Sequence, residues 1–323
     1  MPKAVRYHKQ GGPEVLQYED IPVGEPGAGQ ARIKHTAIGV NFVDVYQRAG
    51  VYPMQLPGIA GNEGAGVVVS VGSGVSDLKP GDRVTYTGLA GSYCEERVVP
   101  ADRLVKLPQG ISEEQAASML LKGLTVHYLI FTTYPVKKGE TVLWHAAAGG
   151  VGLIACQWLK HLGVSVIGTA GSDEKCALAK AHGAEHVINY SKENFVERVL
   201  AITGGKKVPV VYDGVGKLTW DGSLDCLRPR GLLASFGNAS GVVPPVNLGI
   251  LSTKGSLYVT RPTLATHIAS RADLVERSNA LFDIVKSGKV KIETTARYKL
   301  ADAQQAHRDL EARKTTGSVI LVP

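Results

Sequence analysis

The chain has 323 residues, 44% hydrophobic and 20% charged, with mean hydropathy +0.01 and net charge +7. That composition suits a soluble protein with two cores. It offers no apolar run of about 18 residues to span a membrane, and "MPKAVRYHKQGGPEV" lacks the apolar core of a secretory signal, so the cytoplasm is the expected location.

Residues 1 to about 122 carry short valine-rich runs, "ARIKHTAIGV", "GAGVVVSVG", "DRVTYTG", "ERVVP" and "RLVKLP", separated by turn formers such as "KPGD". They predict a sandwich or barrel-like unit of many short strands. From about Gly139 the rhythm changes. Strands are predicted at "TVLWHA", "SVIGTA", "HVINY", "VPVVYDGVG", "LLASFG" and "SLYVT", with helices beginning near Val151, Asp173, Glu193 and Leu218. Such alternation implies parallel strands joined by crossover helices. The last segment, about 263 to 323, predicts helices near 267–287 and 301–313 and a final strand "SVILVP". That strand needs a partner. The N-terminal all-β unit is its expected home, which makes that domain discontinuous.

Between the first strand and the first helix of the alternating region stands Ala148-Gly149-Gly150-Val151-Gly152. Apolar residues at Val151, Ile154, Ala155, Trp158, Leu159 and Leu162 give the helix one face for a sheet. A strand ending in small residues at a helix N-terminus leaves N–H groups open to a pyrophosphate. "AAGGVG" is thus a variant of G-x-G-x-x-G with Ala147 in the first glycine's place. NAD sites place an acid at the end of the second strand. Here Gly168-Thr169-Ala170 end that strand without one, and Ser172 and Lys175 suit a 2′-phosphate. Asp173 is read as a helix N-cap that points away. The reading is NADP(H) rather than NAD(H).

The chain resembles the NADPH:quinone oxidoreductases, the zeta-crystallin-like branch of the medium-chain dehydrogenase/reductase superfamily. The resemblance runs through Gly139-Glu140-x-x-Leu143-x-x-x-Ala147-Ala148-Gly149-Gly150-x-Gly152, then Gln157 and Lys160. "GGPEVL", "NFVDVYQRAGVY", "LKGLTVHYL", "VVYDGVG", "SFGNASG", "VTRP" and "TTGSVILVP" extend it over the whole length. It implies an α/β fold: a Rossmann doubly wound parallel sheet at 123–262, plus a mainly-β GroES-like catalytic domain at 1–122 and 263–323. It also implies an active site in the cleft between the domains and a homodimer paired through the Rossmann sheets. Carried over by position, the nicotinamide and its ribose would meet Asn41, Phe42, Tyr46, Thr125 and Tyr128. The pyrophosphate would lie over Gly149, Gly150, Val151 and Gly152, and the 2′-phosphate would meet Lys175, Tyr190 and Arg313 beside Gly171 and Ser172. Phe236, Gly237 and Asn238 would border the nicotinamide, and Pro262, Thr263 and Leu264 the hinge.

Related alcohol dehydrogenases hold a catalytic zinc with a cysteine near position 41, a "GHE" histidine and a later cysteine. This chain has Asn41, and Asn62 in "GNEGAG", neither of them a zinc ligand. The structural-zinc cysteines are missing too: Cys94, Cys156, Cys176 and Cys226 lie far apart without CxxC, as reduced thiols do. His127, His145 and His182 show no metal spacing and are read as packing or surface groups. Without a Lewis acid, the acceptor must take hydride unaided. A quinone fits, since it becomes aromatic on reduction, and an α,β-unsaturated carbonyl is the alternative. Asn41, Asp44, Tyr46 and Tyr52 are the catalytic candidates: Asn41 for a quinone oxygen or the ribose, Asp44 for a ribose hydroxyl or a proton-delivering water, the tyrosines as aromatic wall or phenol donor. The same residues also read as a helix opening capped by Asn41. The net charge permits nucleic acid, but no basic stretch interleaves with aromatics, and RNA binding stays the less favoured role.

Overall fold

A computed structural model describes all residues, 1–323. The chain divides into two compact units: Met1–Leu124 with Ile268–Lys286 and Ile292–Pro323, and Thr125–His267 with Ser287–Lys291.

The first unit opens with β1 (Lys3–Tyr7), β2 (Gln17–Asp20), β3 (Gln30–Val40), α1 (Phe42–Arg48), β4 (Gly58–Ile59), β5 (Glu63–Val71), β6 (Arg83–Thr87), β7 (Glu96–Pro100) and β8 (Val105–Lys106). Then α2 (Glu113–Tyr128) leads out of it. The second unit continues with β9 (Thr141–Trp144), α3 (Gly150–His161), β10 (Ser165–Ala170), α4 (Asp173–Ala181), β11 (His186–Asn189), α5 (Phe195–Ile202), β12 (Val208–Asp213), α6 (Trp220–Asp225), β13 (Leu227–Ser235), α7 (Gly249–Thr253), β14 (Tyr258–Thr260) and α8 (Leu264–His267). The chain returns to the first unit with α9 (Arg271–Lys286), β15 (Thr294–Lys299), α10 (Ala303–Glu311) and β16 (Ser318–Val322).

The second unit is a six-stranded parallel sheet in the order β11-β10-β9-β12-β13-β14. Numbered from β9, that is 3-2-1-4-5-6, the doubly wound order with its switch point between β9 and β12. Leu143, Ile167, Val211 and Leu233 form the buried core of one face with Ile188 and Leu224. All six strands stand where the valine-rich runs predict them. The alternation is legible because central parallel strands are buried on both faces and read as continuous apolar runs.

In the first unit, β15-β16-β3-β5-β6-β8 form the main sheet, with β7 also pairing β3. The final strand β16 does join the N-terminal strands: Val319, Ile320 and Leu321 pair antiparallel with Val40, Gly39 and Ile38 of β3. Its other edge carries β15, parallel to it. Buried Val5, Ile38, Val40, Val319 and Leu321 share one core cluster with Leu300 and Ala306. No helix in the chain is long and apolar enough to cross a membrane.

Candidate active site

In the second unit the turn after β9 is built for close approach. Ala146 adopts a positive φ of 54°, and Gly149 donates its N–H to Ala146 O at 3.0 Å. Gly149 then serves as N-cap of α3 with no side-chain cap, so the first-turn N–H groups point out of the helix end. A Cβ on Gly152 would sit 2.5 Å from Ala146 O and 2.6 Å from Ala147 O. One on Gly168 would sit 2.7 Å from Ala147 Cβ. Helix, turn and strand therefore pack closer than any larger residue allows, as a pyrophosphate cradle requires.

One strand over, Ser172 rather than Asp173 is the N-cap of α4, its Oγ accepting from Lys175 N at 3.3 Å. Asp173 is the first helical residue, which corrects its reading as the cap. Its carboxylate accepts from Asn189 Nδ2 at 2.7 Å and Lys192 Nζ at 2.5 Å, and Lys192 holds its pKa down. The acid is thus spent on the end of β11. Tyr190 lies beside Gly171: a Cβ there would meet Tyr190 Oη at 2.6 Å. Gly171, Ser172, half-buried Lys175 and Tyr190 come together at the carboxyl ends of β10 and β11. Arg313 belongs to the first unit, in the turn after α10, with a positive φ of 57°.

At the ends of β12 and β13 two loops interlock. Buried Asp213 accepts from Val215 N and Gly216 N through Oδ1, and from Thr219 and Ser223 hydroxyls through Oδ2. A Cβ on Gly237 would lie 2.4 Å from Gly214 O, and one on Gly214 would lie 3.0 Å from the Phe236 ring. Arg261 Nη1 donates to Ser235 O at 2.8 Å and Gly237 O at 3.2 Å, holding the Phe236–Asn238 loop. Pro262, Thr263 and Leu264 follow directly and lead into α8. Tyr128 is buried and stacks on His267 at 4.3 Å and 3°. Thr125 is buried one turn earlier on α2. His145 is a packing group, bonded to Thr169 and Ser223 hydroxyls at 2.9 and 3.0 Å.

In the first unit Asn41 caps α1 in a capping box with Asp44, whose Oδ2 accepts Asn41 N–H at 2.8 Å. Asp44 is 1% exposed. It also accepts from Tyr93 Oη at 3.0 Å and Asn62 Nδ2 at 2.8 Å. Burial pushes its pKa up to about 6, against the pull of Asn62, the Asn41 N–H and Tyr93. The carboxylate is thus committed to framework donors, so its geometry fits holding α1 rather than meeting a ribose or a water. Behind it, Tyr93 meets His307 Nε2 at 3.1 Å, and Arg48 reaches His307 Nδ1 and Glu311. Phe42, Tyr46 and Tyr52 form an aromatic run, with centroids 6.1 and 5.4 Å apart. Tyr52 N–H donates to Tyr46 O at 3.1 Å, so the turn after α1 brings Tyr52 back.

Sequence reasoning missed Glu63 and Lys122. Glu63 is fully buried; its Oε2 accepts from Asn41 Nδ2 at 2.8 Å and its Oε1 from Leu121 N at 2.7 Å. Lys122 Nζ lies 3.6 Å from Oε2. Burial raises the Glu63 pKa, and Lys122 and the two N–H donors oppose it. Gly39 was the available signal: a Cβ there would lie 2.3 Å from Glu63 Oε2 and from Ala117 O.

Residues 27–109 match the family described as alcohol dehydrogenase GroES-like domain, and residues 150–275 the one described as zinc-binding dehydrogenase. A quinone oxidoreductase of Pseudomonas aeruginosa is 55% identical over 325 residues, covering 100% of both chains. The chain belongs to the quinone oxidoreductase family. An Escherichia coli quinone oxidoreductase crystallised with NADPH superposes with a TM-score of 0.98 at 52% identity, over 99% of this chain and 100% of that one. A 2-haloacrylate reductase of a Burkholderia species is 45% identical, over 100% of this chain and 99% of its own length. The first match falls in the strand-rich first unit, and the second begins at α3 of the parallel-sheet unit. For a quinone oxidoreductase described in part by a zinc-binding family, this chain offers no group of three or more His, Cys, Asp or Glu placed to hold a metal.

Proposed function

We propose that this chain reduces quinones with NADPH, without zinc. The observation that carries the reading is the end of β10: Gly168-Thr169-Ala170 close the strand without an acid, Ser172 and Lys175 stand in the turn that follows, and Asp173 is drawn off by Lys192. The Escherichia coli relative that holds NADPH supports it from outside. When bound, NADPH supplies the hydride, and the protein's part is to place and polarise. Gly149 to Gly152 present backbone N–H groups to the pyrophosphate. Lys175, with Ser172, Gly171, Tyr190 and Arg313, takes the 2′-phosphate, while Phe236 to Asn238 and Pro262 to Leu264 border the nicotinamide with Thr125 and Tyr128. Asn41 bonds the acceptor oxygen, and Phe42, Tyr46 and Tyr52 supply a wall for a planar ring. Asp44 positions Asn41 by closing the capping box. The first unit would thus give Asn41, Phe42, Tyr46 and Tyr52 to the acceptor and Arg313 to the cofactor, whose other contacts come from the second.

We further propose a cytoplasmic homodimer paired through β14. That strand ends the parallel sheet on one side, and Tyr258 on it is 61% exposed, while Val242 at 56% and Leu248 at 76% are exposed in the segment that precedes α7. Bare apolar edges of this kind need a partner.

The test is the initial rate of NADPH and NADH oxidation with 1,4-benzoquinone, 1,2-naphthoquinone, an alkenal and 2-chloroacrylate, with and without chelator. Quinone turnover that prefers NADPH and ignores chelator is expected. Turnover of the unsaturated substrates alone transfers the reading to the reductase at 45% identity, and loss with chelator overturns the zinc-free part.

A further inference from the structure

Lys122 is the one buried ammonium of the first unit's polar cluster that makes no hydrogen bond. Its side chain is 7% exposed, and Glu63 Oε2 at 3.6 Å is an ionic neighbour beyond hydrogen-bond reach. The same oxygen accepts from Asn41 Nδ2 at 2.8 Å. An uncompensated carboxylate at this depth is costly, and a fixed cation nearby offsets the cost. The carboxylate in turn decides how the Asn41 amide stands. Turned over, the amide would put its oxygen against Oε2, acceptor facing acceptor. Asn41 also faces the N3 backbone of α1 in the capping box, which favours the same orientation. Of the two N–H groups on Nδ2, one is spent on Glu63, so the sense of the amide fixes where the other is offered.

We propose that Lys122 and Glu63 are positioning residues for quinone reduction, a charge-balanced pair that locks the Asn41 amide so that its second N–H meets the acceptor oxygen. The proposal rests on the quinone-reductase reading above. A preset donor aimed where negative charge develops lowers the barrier without reorganisation. If Lys122 loses its charge, Glu63 takes up a proton. A neutral acid accepts from an amide N–H or donates to an amide oxygen, so Asn41 gains two orientations of which one presents no donor. Asp44, bonded to Asn41 N and Asn62, and Tyr93, Arg48 and His307 beyond it are the other charged or titratable groups facing this cluster. Of these, Asp44 and Tyr93 feel the Glu63 charge, which raises both of their pKa values, so a proton on Glu63 relaxes that push.

The experiment compares Lys122→Met, Lys122→Arg and Glu63→Gln with the parent, by quinone kinetics across pH and by NADPH binding from nucleotide fluorescence. Lys122→Met is expected to lose about ten- to hundredfold in kcat, to bind NADPH as the parent does, and to gain a limb in which kcat recovers as pH rises and Glu63 ionises. Lys122→Arg restores most of the rate, and Glu63→Gln loses rate without a pH limb. Should Lys122→Met fail to fold, Glu63→Gln decides: parental kcat there overturns the proposal. A parental kcat and pH profile in Lys122→Met also overturns it, as does loss of NADPH binding in step with kcat. A parent that turns over no quinone fails the underlying reading, whereas an active parent indifferent to Lys122 fails only the pair.

Discussion

Lys175 sits half-buried in the first turn of α4, where Ser172 Oγ takes its backbone N–H, and the proposal above gives its ammonium the 2′-phosphate. A charge-assisted hydrogen bond is worth about 1.5–3 kcal/mol. Lys175→Ala is therefore expected to raise KM for NADPH about ten- to hundredfold while leaving KM for NADH unchanged. Steady-state kinetics with both nucleotides check this, and equal losses with NADH would refute the assignment. The turn from Ser172 to Lys175 was legible as local structure because it is written in neighbouring residues. Asp44 was not. Its environment comes from Asn62, Tyr93 and, through Tyr93, His307, residues 18, 49 and 263 positions away, and only folding brings them together. The sequence made Asp44 a candidate for contact with ligand; burial and three donors make it framework.

At the scale of elements, two readings of "NFVDVYQ" turn out to be compatible. Asn41 is the N-cap of α1, and the same cap is where its amide meets Glu63. Helix α2 went unread, although its start is written locally: Ser112 Oγ accepts from Gln115 N at 3.2 Å, and Gln115 Oε1 accepts from Ser112 N at 3.0 Å. That capping box was available from spacing alone. Its apolar residues are buried with no polar face repeating cleanly, which hid the period. Glycine at α3 is more demanding than its motif suggests, because the atoms facing a Cβ on Gly152 are backbone carbonyls that cannot rotate away. Gly152→Val is expected to push α3 off the β9 turn, destabilising the chain by about 1–3 kcal/mol and weakening NADPH binding more than quinone affinity. Thermal unfolding with and without NADPH measures both, and a parental nucleotide shift in the variant would count against the cradle.

At the scale of the whole molecule, the discontinuous first unit was inferred from one unpaired strand, and the pairing of β16 with β3 supports that logic. Ser318 Oγ also donates to Ser118 O at 2.7 Å, tying β16 to α2 across 200 positions. Stability against acid is likewise a sum over distant parts. His35 is held between Cys94 O and Tyr86 Oη at 2.7 and 2.8 Å, and burial takes its pKa down to about 3. Burial and Arg48 do the same to His307, also to about 3. Both stay neutral in the fold, while in the unfolded chain they take up protons below about 6.5. Between pH 7 and 5 the unfolded state binds more protons at these sites, so acidification costs about 2 kcal/mol for each. Asp44 has the opposite sign. Its pKa, raised to about 6, lets the fold bind a proton that the unfolded chain takes up only near 3.8, returning about 1.4 kcal/mol over the same interval. Among these three groups the histidines win, and their joint contribution is a loss of about 2–3 kcal/mol on going from pH 7 to pH 5. Urea unfolding at the two pH values measures it. In His307→Gln most of that loss should vanish whatever the variant's own stability, since the comparison is internal to each protein. In Asp44→Asn the loss should deepen, because the stabilising proton is gone. A His307→Gln chain that loses as much on acidification as its parent would show that the imidazole is already charged in the fold, and the bond from Arg48 to His307 Nδ1 would then need another account.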